Sequence, residues 1–448
     1  MSRKGLILVV IDGLSPSVLE AGIDRGRLPM LARLADVGRY DHAVTVFPSL
    51  TPVCLSSIAT GAYPATHEIP HLVWWHRAER RLVEYGSSFG AVRRAGVARS
   101  LRDTLVGMNA RHLGARSSTV FETLADAGLV TAAVNFTAYR GRTRHRSTLP
   151  FLGDVLGPER FFFYNLFASE RTGAPLSWRS RAAGTIDGYA AAVGRWLVTR
   201  DAFDFLVFYL SDYDYASHLR GPDGADDVLA RCDVAVEGLA AAAGGIDALL
   251  DRYAVLVLAD HGQTAVRHVR DLRRSLAALD GVLVTASNRA AMLYRHDGCR
   301  LDARAIAARL DGDPAVDVVL FREGVEAIAR RDGAEARFAP GSDGGFVTSG
   351  DLTLLDHPDA LARSWGALAN PNAGDVLVSA GAGWEFADLG GGHHAGGGSH
   401  GSLLAGDSVV PVISVGAGDP PRRIVDVAPA VLRHFHVASP ALALDRVA

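Results

Sequence analysis

The sequence predicts an α/β protein, with a mostly parallel sheet sandwiched by helices and a small α+β subdomain inserted late in the chain. Three observations carry this. Apolar, β-branched runs recur as GLILVVID (5–12), GLVTAAVNF (128–136), FDFLVFYL (203–210), YAVLVLAD (253–260) and SVVPVISVG (408–416). Such unbroken runs read as strands buried on both faces. Alanine- and leucine-rich segments at 28–37, 118–127, 186–199 and 226–244 lie between them and read as helices, the alternation of a parallel sheet. Residues 290–335 read instead as strand, helix, strand (AAMLYR, ARAIAARL, VDVVLFR). The expected organisation is one domain over 1–448, its core at 1–285 and 365–448 and its inserted subdomain at 286–364.

Along the chain, the first strand ends in Asp12, and about forty residues later comes FPSLTPVCLSSIATGAYPATHEI. There Thr51 stands on a proline-bounded turn entering a helix of small residues. Residues 70–115 and 140–182 carry aromatics and many arginines and read as excursions over the sheet. GGGHHAGGGSHGS (390–402) is a loop, because so much glycine cannot hold a helix or strand.

Composition narrows the partners. With 448 residues, 48% of them apolar, the chain can bury a sizeable core. A net charge of −3 gives no electrostatic case for a nucleic-acid polymer or an anionic membrane. Lys4 is the sole lysine. Cys54, Cys232 and Cys299 lie far apart, which suits neither a disulfide framework nor a thiolate metal site. No secretory leader and no apolar run of roughly twenty residues is evident, so the expectation is a cytoplasmic protein without a membrane partner.

Three strands end in aspartate, at Asp12, at Asp212 and Asp214, and at Asp260. Ligands bind outside the carboxyl ends of parallel strands, so these carboxylates are expected to converge. Asp214 and His218 are four residues apart, on one face of a helix. His261 adjoins Asp260, and the small neighbours of His400 let its loop approach a cation. Carboxylates and imidazoles without thiolates suit zinc, manganese or iron. Two such ions about 3.5–4 Å apart clamp the attacking and leaving oxygens of an in-line displacement, which is phosphoryl-transfer chemistry.

The order strand–Asp–Gly, Thr in a P-x-x-T-P turn, D-x-x-x-H, D-H-G and a late H-G resembles the alkaline phosphatase superfamily. TGAYPATHEI resembles in particular its nucleotide pyrophosphatase/phosphodiesterase branch. The likeness spans Asp12 to His400. It implies an alkaline-phosphatase-like fold with one metal held by Asp214, His218 and His400, the other by Asp12, Asp260, His261 and Thr51. It implies Thr51 as nucleophile, a phosphothreonine intermediate, and hydrolysis of a phosphodiester or pyrophosphate in a small phosphorylated substrate. The alternatives are a phosphomonoesterase or a phosphonate (phosphonoacetate-like) hydrolase on the same site, or a degenerate metal-binding protein without catalysis. The sequence departs from the family at the Asn expected about twenty-one residues after the nucleophile, which donates to a phosphoryl oxygen. Leu72 falls there, and Glu68 replaces a glycine.

Weaker signals remain open. Ser49 rivals Thr51, His393 and His394 rival His400, and Asp212 rivals Asp214, whereas His67 reads as structural. His71, Trp74, His76 and Arg140 are candidate substrate-binding groups, the first and third as replacements for the missing Asn. Trp74 and Trp75 suit ring stacking, and Arg140, Arg142, Arg144 and Arg146 a second anionic group, although packing and a solvated loop explain them as well. RFFFYNLF (160–167) is a cap, a contact or plain packing. Cys54 lacks the C-x-P-x-R surroundings of sulfatases, and the Ser motif of cofactor-independent phosphoglycerate mutases is missing.

Overall fold

The computed structural model describes residues 4–149, 152–164, 166–168 and 186–439. Two seven-stranded sheets dominate it. Their strands are β1 (Gly5–Ile11), β2 (Arg39–Val44), β3 (Thr131–Val134), β4 (Arg160–Phe162), β5 (Phe205–Leu210), β6 (Tyr253–Leu258), β7 (Val282–Ser287), β8 (Ala290–Arg295), β9 (Val316–Glu323), β10 (Glu326–Arg331), β11 (Ala334–Pro340), β12 (Phe346–Gly350), β13 (Val376–Ala380) and β14 (Val409–Val415).

The first sheet runs in the spatial order β2–β14–β6–β1–β5–β3–β4. β6, β1, β5, β3 and β4 are parallel to one another. All of β5 and β6 is buried, as is β1 beyond Gly5, so these strands have no polar face to alternate with. The expected helices are Pro29–Val37, Val120–Asp126, Ile186–Thr199 and Asp226–Ala243. β14 lies in the sheet but runs antiparallel to β6 and β2. An apolar run marks a buried strand without giving its direction.

Two helices matter for the site, α1 (Thr51–Thr60) and α2 (Asp212–Arg220). α1 is buried all round except at Thr51. Its small residues permit close packing, and two of its hydroxyls are satisfied within the helix. Ser56 Oγ donates to Pro52 O at 2.6 Å and Thr60 Oγ1 to Ser56 O at 2.7 Å.

The second sheet, β7–β8–β13–β9–β10–β11–β12, is antiparallel throughout. Its strands run from 282 to 380, beyond both ends of the 286–364 segment read from the sequence. Within it β8, the helix Ala303–Ala307 and β9 form the expected strand–helix–strand. Residues 70–115 form the hairpin Val73–His76/Arg81–Glu84, the helices Phe89–Ala95 and Val97–Arg102, and a wide π-type helix over Asp103–His112. In the aromatic run, Phe161, Phe163 and Phe167 pack around Tyr139. The rest of that excursion, 169–182, lies outside the described residues. Among the described residues, no helix is long and apolar enough to cross a membrane.

Candidate metal centre and active site

Adjacent parallel strands end on the same edge of a sheet, and here the chemistry gathers at that edge. Asp12 follows β1, Asp260 follows β6, and Asp214 lies in the first turn of α2 after β5. His261 Nε2 lies 3.3 Å from Asp12 Oδ1 and 3.5 Å from Asp260 Oδ2. His218 Nε2 lies 3.3 Å from Asp214 Oδ2, one helical turn away, and His400 Nε2 lies 3.9 Å from Asp214 Oδ1. Thr51, the first residue of α1, points its Oγ1 at His261 Nε2, 3.1 Å away. Two groups, Asp12–Asp260–His261 and Asp214–His261–His400, each bring their ligand atoms within 4.8 Å of one another.

Glycine makes these approaches possible at two points. A Cβ on Gly13, which has φ of +73°, would meet Asp214 Oδ1 at 2.8 Å. One on Gly397 would meet the His218 carbonyl at 2.0 Å, so the glycine-rich loop closes onto α2 only without side chains there.

The three imidazoles share one arrangement. His218 Nδ1 donates to Gly398 O at 2.8 Å, His261 Nδ1 to Gly262 O at 3.1 Å, and His400 Nδ1 to Ser49 O at 2.8 Å. A carbonyl only accepts, so each ring carries a proton on Nδ1 and turns its Nε2 into the site. Asp12 Oδ1 and Asp260 Oδ2 are buried and have no hydrogen-bond partner. Orphaned buried carboxylate oxygens are costly, and a cation between them removes the cost. The donor set therefore fits hard or borderline divalent ions.

The titration pattern has the same origin. Burial, then the neighbouring Asp260 and Asp214, push the Asp12 carboxyl well above the usual range. Burial raises Asp260 as well. At Asp214 burial is outweighed by His218, His400 and His261, which hold its carboxyl low. Burial, and next His261, depress His400.

Several groups support the ligands without having stood out in the sequence. Gln263 Nε2 donates to Asp214 Oδ1, and Ser217 Oγ donates to Gln263 Oε1 at 2.5 Å. The Tyr209 hydroxyl donates to Asp12 Oδ2. Asn288 Nδ2 lies 2.9 Å from His400 Nε2. Gln263 follows the D-H-G motif and Tyr209 precedes the end of β5, so position offered a hint for both. Asn288 is far from every motif and left none.

A cavity of about 520 Å³ opens over Asp12, Thr51, Asp214, His218 and His400, walled by Leu72, Tyr85, Leu105, Met108, Phe163, Tyr164 and Tyr215. A slightly larger one, about 580 Å³, lies elsewhere beside Tyr63, Trp365 and Arg423 and contains none of these groups.

The four residues expected to bind substrate do not border the cavity over Thr51. His71 is buried, with Nδ1 accepting from Val73 N–H at 3.1 Å and Nε2 lying 3.3 Å from Ala290 O. Trp74 is fully buried and stacks on His76 at 5.3 Å. His76 also faces Glu79. Arg140 is committed to Glu122 at 3.0 Å and to the carbonyls of Leu113 and Ser117. Arg142 is likewise paired with Glu122 and Asp126. Each therefore has protein partners, and composition alone does not tell which way such side chains face.

The rival residues also find other partners. Ser49 Oγ is buried and donates to Ser402 O, and His67 holds Ser57 at 3.0 Å. Asp212 Oδ2 accepts from Asp187 N–H. His393 is exposed, whereas His394 stacks on His218 at 4.0 Å and pairs with buried Glu385.

A family model described as type I phosphodiesterase / nucleotide pyrophosphatase matches residues 6–403. No curated protein matches the sequence. Among solved structures the chain is similar to phosphonoacetate hydrolase from Sinorhizobium meliloti 1021 in complex with phosphonoformate. Identity there is 22%, the TM-score 0.66 and coverage 96% of each chain. It is also similar to an inactive form of murine ectonucleotide pyrophosphatase / phosphodiesterase 5 in complex with AMP. That pair has 13% identity and a TM-score of 0.62, covering 98% of this chain and 96% of the other. At these identities the likeness establishes the alkaline-phosphatase-like fold alone.

Proposed function

The chain belongs to the type I phosphodiesterase / nucleotide pyrophosphatase family of phosphoric ester hydrolases, and from that premise we propose that it cleaves a phosphodiester or pyrophosphate bond through Thr51. The carrying observation is the pair of orphaned carboxylate oxygens on Asp12 and Asp260 beside the Thr51 hydroxyl. Asp12, Asp260, His261 and Thr51 would hold one divalent ion, and Asp214, His218 and His400 the other. Zinc suits this oxygen and nitrogen set best, ahead of manganese and iron. Such ions lower a bound hydroxyl's pKa and neutralise charge on phosphoryl oxygens.

Thr51 Oγ loses its proton and attacks phosphorus, and its new bond forms as the bond to the leaving group breaks, an alcohol from a diester or a phosphate from a pyrophosphate. The leaving group takes up a proton. Water then attacks the phosphothreonine from the opposite side, and Thr51 leaves with its hydroxyl restored. With Thr51 at the start of α1, the positive end of the helix dipole would favour the incoming phosphoryl group.

Among the described residues no arginine or lysine borders the cavity. The aromatic wall suits a diester with a ring or apolar arm. With Cys54, Cys232 and Cys299 all free, a reducing compartment, the cytoplasm, is the proposed location.

Hydrolysis of bis-p-nitrophenyl phosphate should exceed that of p-nitrophenyl phosphate and vanish in chelator. Thr51→Ala should lower it by about 10⁴-fold or more. Activity surviving that substitution sinks the nucleophile, and metal binding without turnover of either ester favours a non-catalytic protein.

A further inference from the structure

Leu72 borders the cavity where a phosphoryl-oxygen donor is needed, and its side chain has no N–H to give. The second sheet supplies one. Asn288 and Arg289 form the two-residue turn between β7 and β8, with Ser287 paired to Ala290. Asn288 is 5% exposed and borders the cavity, adopting the left-handed backbone (φ 55°) that Asn tolerates better than most residues.

The network fixes the orientation of its amide. His400 has its proton on Nδ1, so its Nε2 only accepts, and the Asn288 atom 2.9 Å away must be the NH₂ group. Ser287 Oγ donates to Asn288 Oδ1 at 3.0 Å, which holds the other end of the amide.

We propose that Asn288 is the phosphoryl-oxygen donor of this active site, replacing the group that Leu72 lacks. The proposal rests on the hydrolase reading above. With a cation bound at His400 Nε2, that lone pair is withdrawn from Asn288. The amide N–H is then an unpaired buried donor beside a cation, and an anionic oxygen bound to that cation is its natural acceptor. Buried donors aimed at developing phosphoryl charge need no reorganisation during the reaction.

The left-handed backbone is by itself a structural reason for Asn at 288, so the test separates the two roles. Asn288→Gly keeps the turn and removes the amide, while Asn288→Asp keeps the turn and replaces the donor with an anion. In the zinc-loaded protein, both should bind inorganic phosphate at least about tenfold more weakly by calorimetry. Asn288→Gly should also lower kcat by about 10²–10³-fold. Zinc content and melting temperature should match the unchanged protein, and Leu72→Asn added to Asn288→Gly should recover phosphate affinity. Phosphate affinities within twofold of the unchanged protein overturn the proposal, as does a loss of zinc that accounts for the weakening. If the unchanged protein binds phosphate but hydrolyses no ester, the hydrolase reading falls, and the phosphate affinities of the variants still decide the role of Asn288.

Discussion

The parallel and antiparallel sheets have equal numbers of strands, yet they reach the site in different ways. β6, β1 and β5 end side by side on one edge, so three carboxylates arrive together from neighbouring strands. An antiparallel sheet alternates its strand ends and offers a site only its turns. Here it offers one, Asn288–Arg289. Asn288 faces the His400 imidazole, and the Arg289 guanidinium pairs with buried Asp407 at 2.7 Å. Asp407 in turn accepts from Ser402 N–H and Oγ, which anchors the loop carrying His400. One sheet supplies the candidate ligands, and the other holds the loop of His400 in place.

Arg289→Met should break this division most severely. It leaves a buried carboxylate without its cation, a loss of about 3–5 kcal/mol. Urea unfolding measures it, and a loss below about 1 kcal/mol would mean that the His400 loop is anchored otherwise. Gln263→Ala tests the ligand side. It frees Asp214 Oδ1 from its support and should weaken metal binding about 10–100-fold in chelator competition, with little change in stability. Equal effects of both substitutions on stability would erase the contrast between the two sheets.

The smallest effect comes from pH. His71 lies in the segment after α1 and donates to Ala290 O in β8, so it bridges the two regions. Burial lowers its folded pKa to about 4 from 6.5. The unfolded chain therefore binds a proton first, and stability is full above pH 6.5 and lost as pH falls toward 4. At pH 5 the loss is about 2 kcal/mol. Thermal melts from pH 7 to 5 should show it, and His71→Gln should flatten that slope. A slope unchanged by the substitution would assign the acid sensitivity elsewhere, for example to buried His67 and His112, which burial also depresses.

What could be read in the sequence follows the same division. Strand-end aspartates, the D-x-x-x-H turn of α2 and the Thr51 turn are local patterns, and the fold brings their side chains into one place. The second sheet was visible only as β8, one helix and β9, because half-exposed antiparallel strands such as β11 and β12 lack the long apolar runs that mark the core. Asn288 meets His400 across more than a hundred residues, a pairing no local spacing encodes. Trp74, His76 and Arg140 are hard to place for the opposite reason. Their residue types suit binding, but only tertiary packing reveals that they face inward to protein partners.

β14 bears on how this protein is made. Among the described residues it is the last strand, yet it sits between β6 and β2. Until residues 409–415 leave the ribosome, β2 has no neighbour and β6 keeps a bare edge. A nascent chain thus carries every residue of the candidate site, His400 included, before its principal sheet can close. Sheets that wait on such distant pairing fold slowly and expose sticky edges meanwhile. A shortened product ending before β14 would retain all the chemistry in its sequence and lack the architecture to hold it.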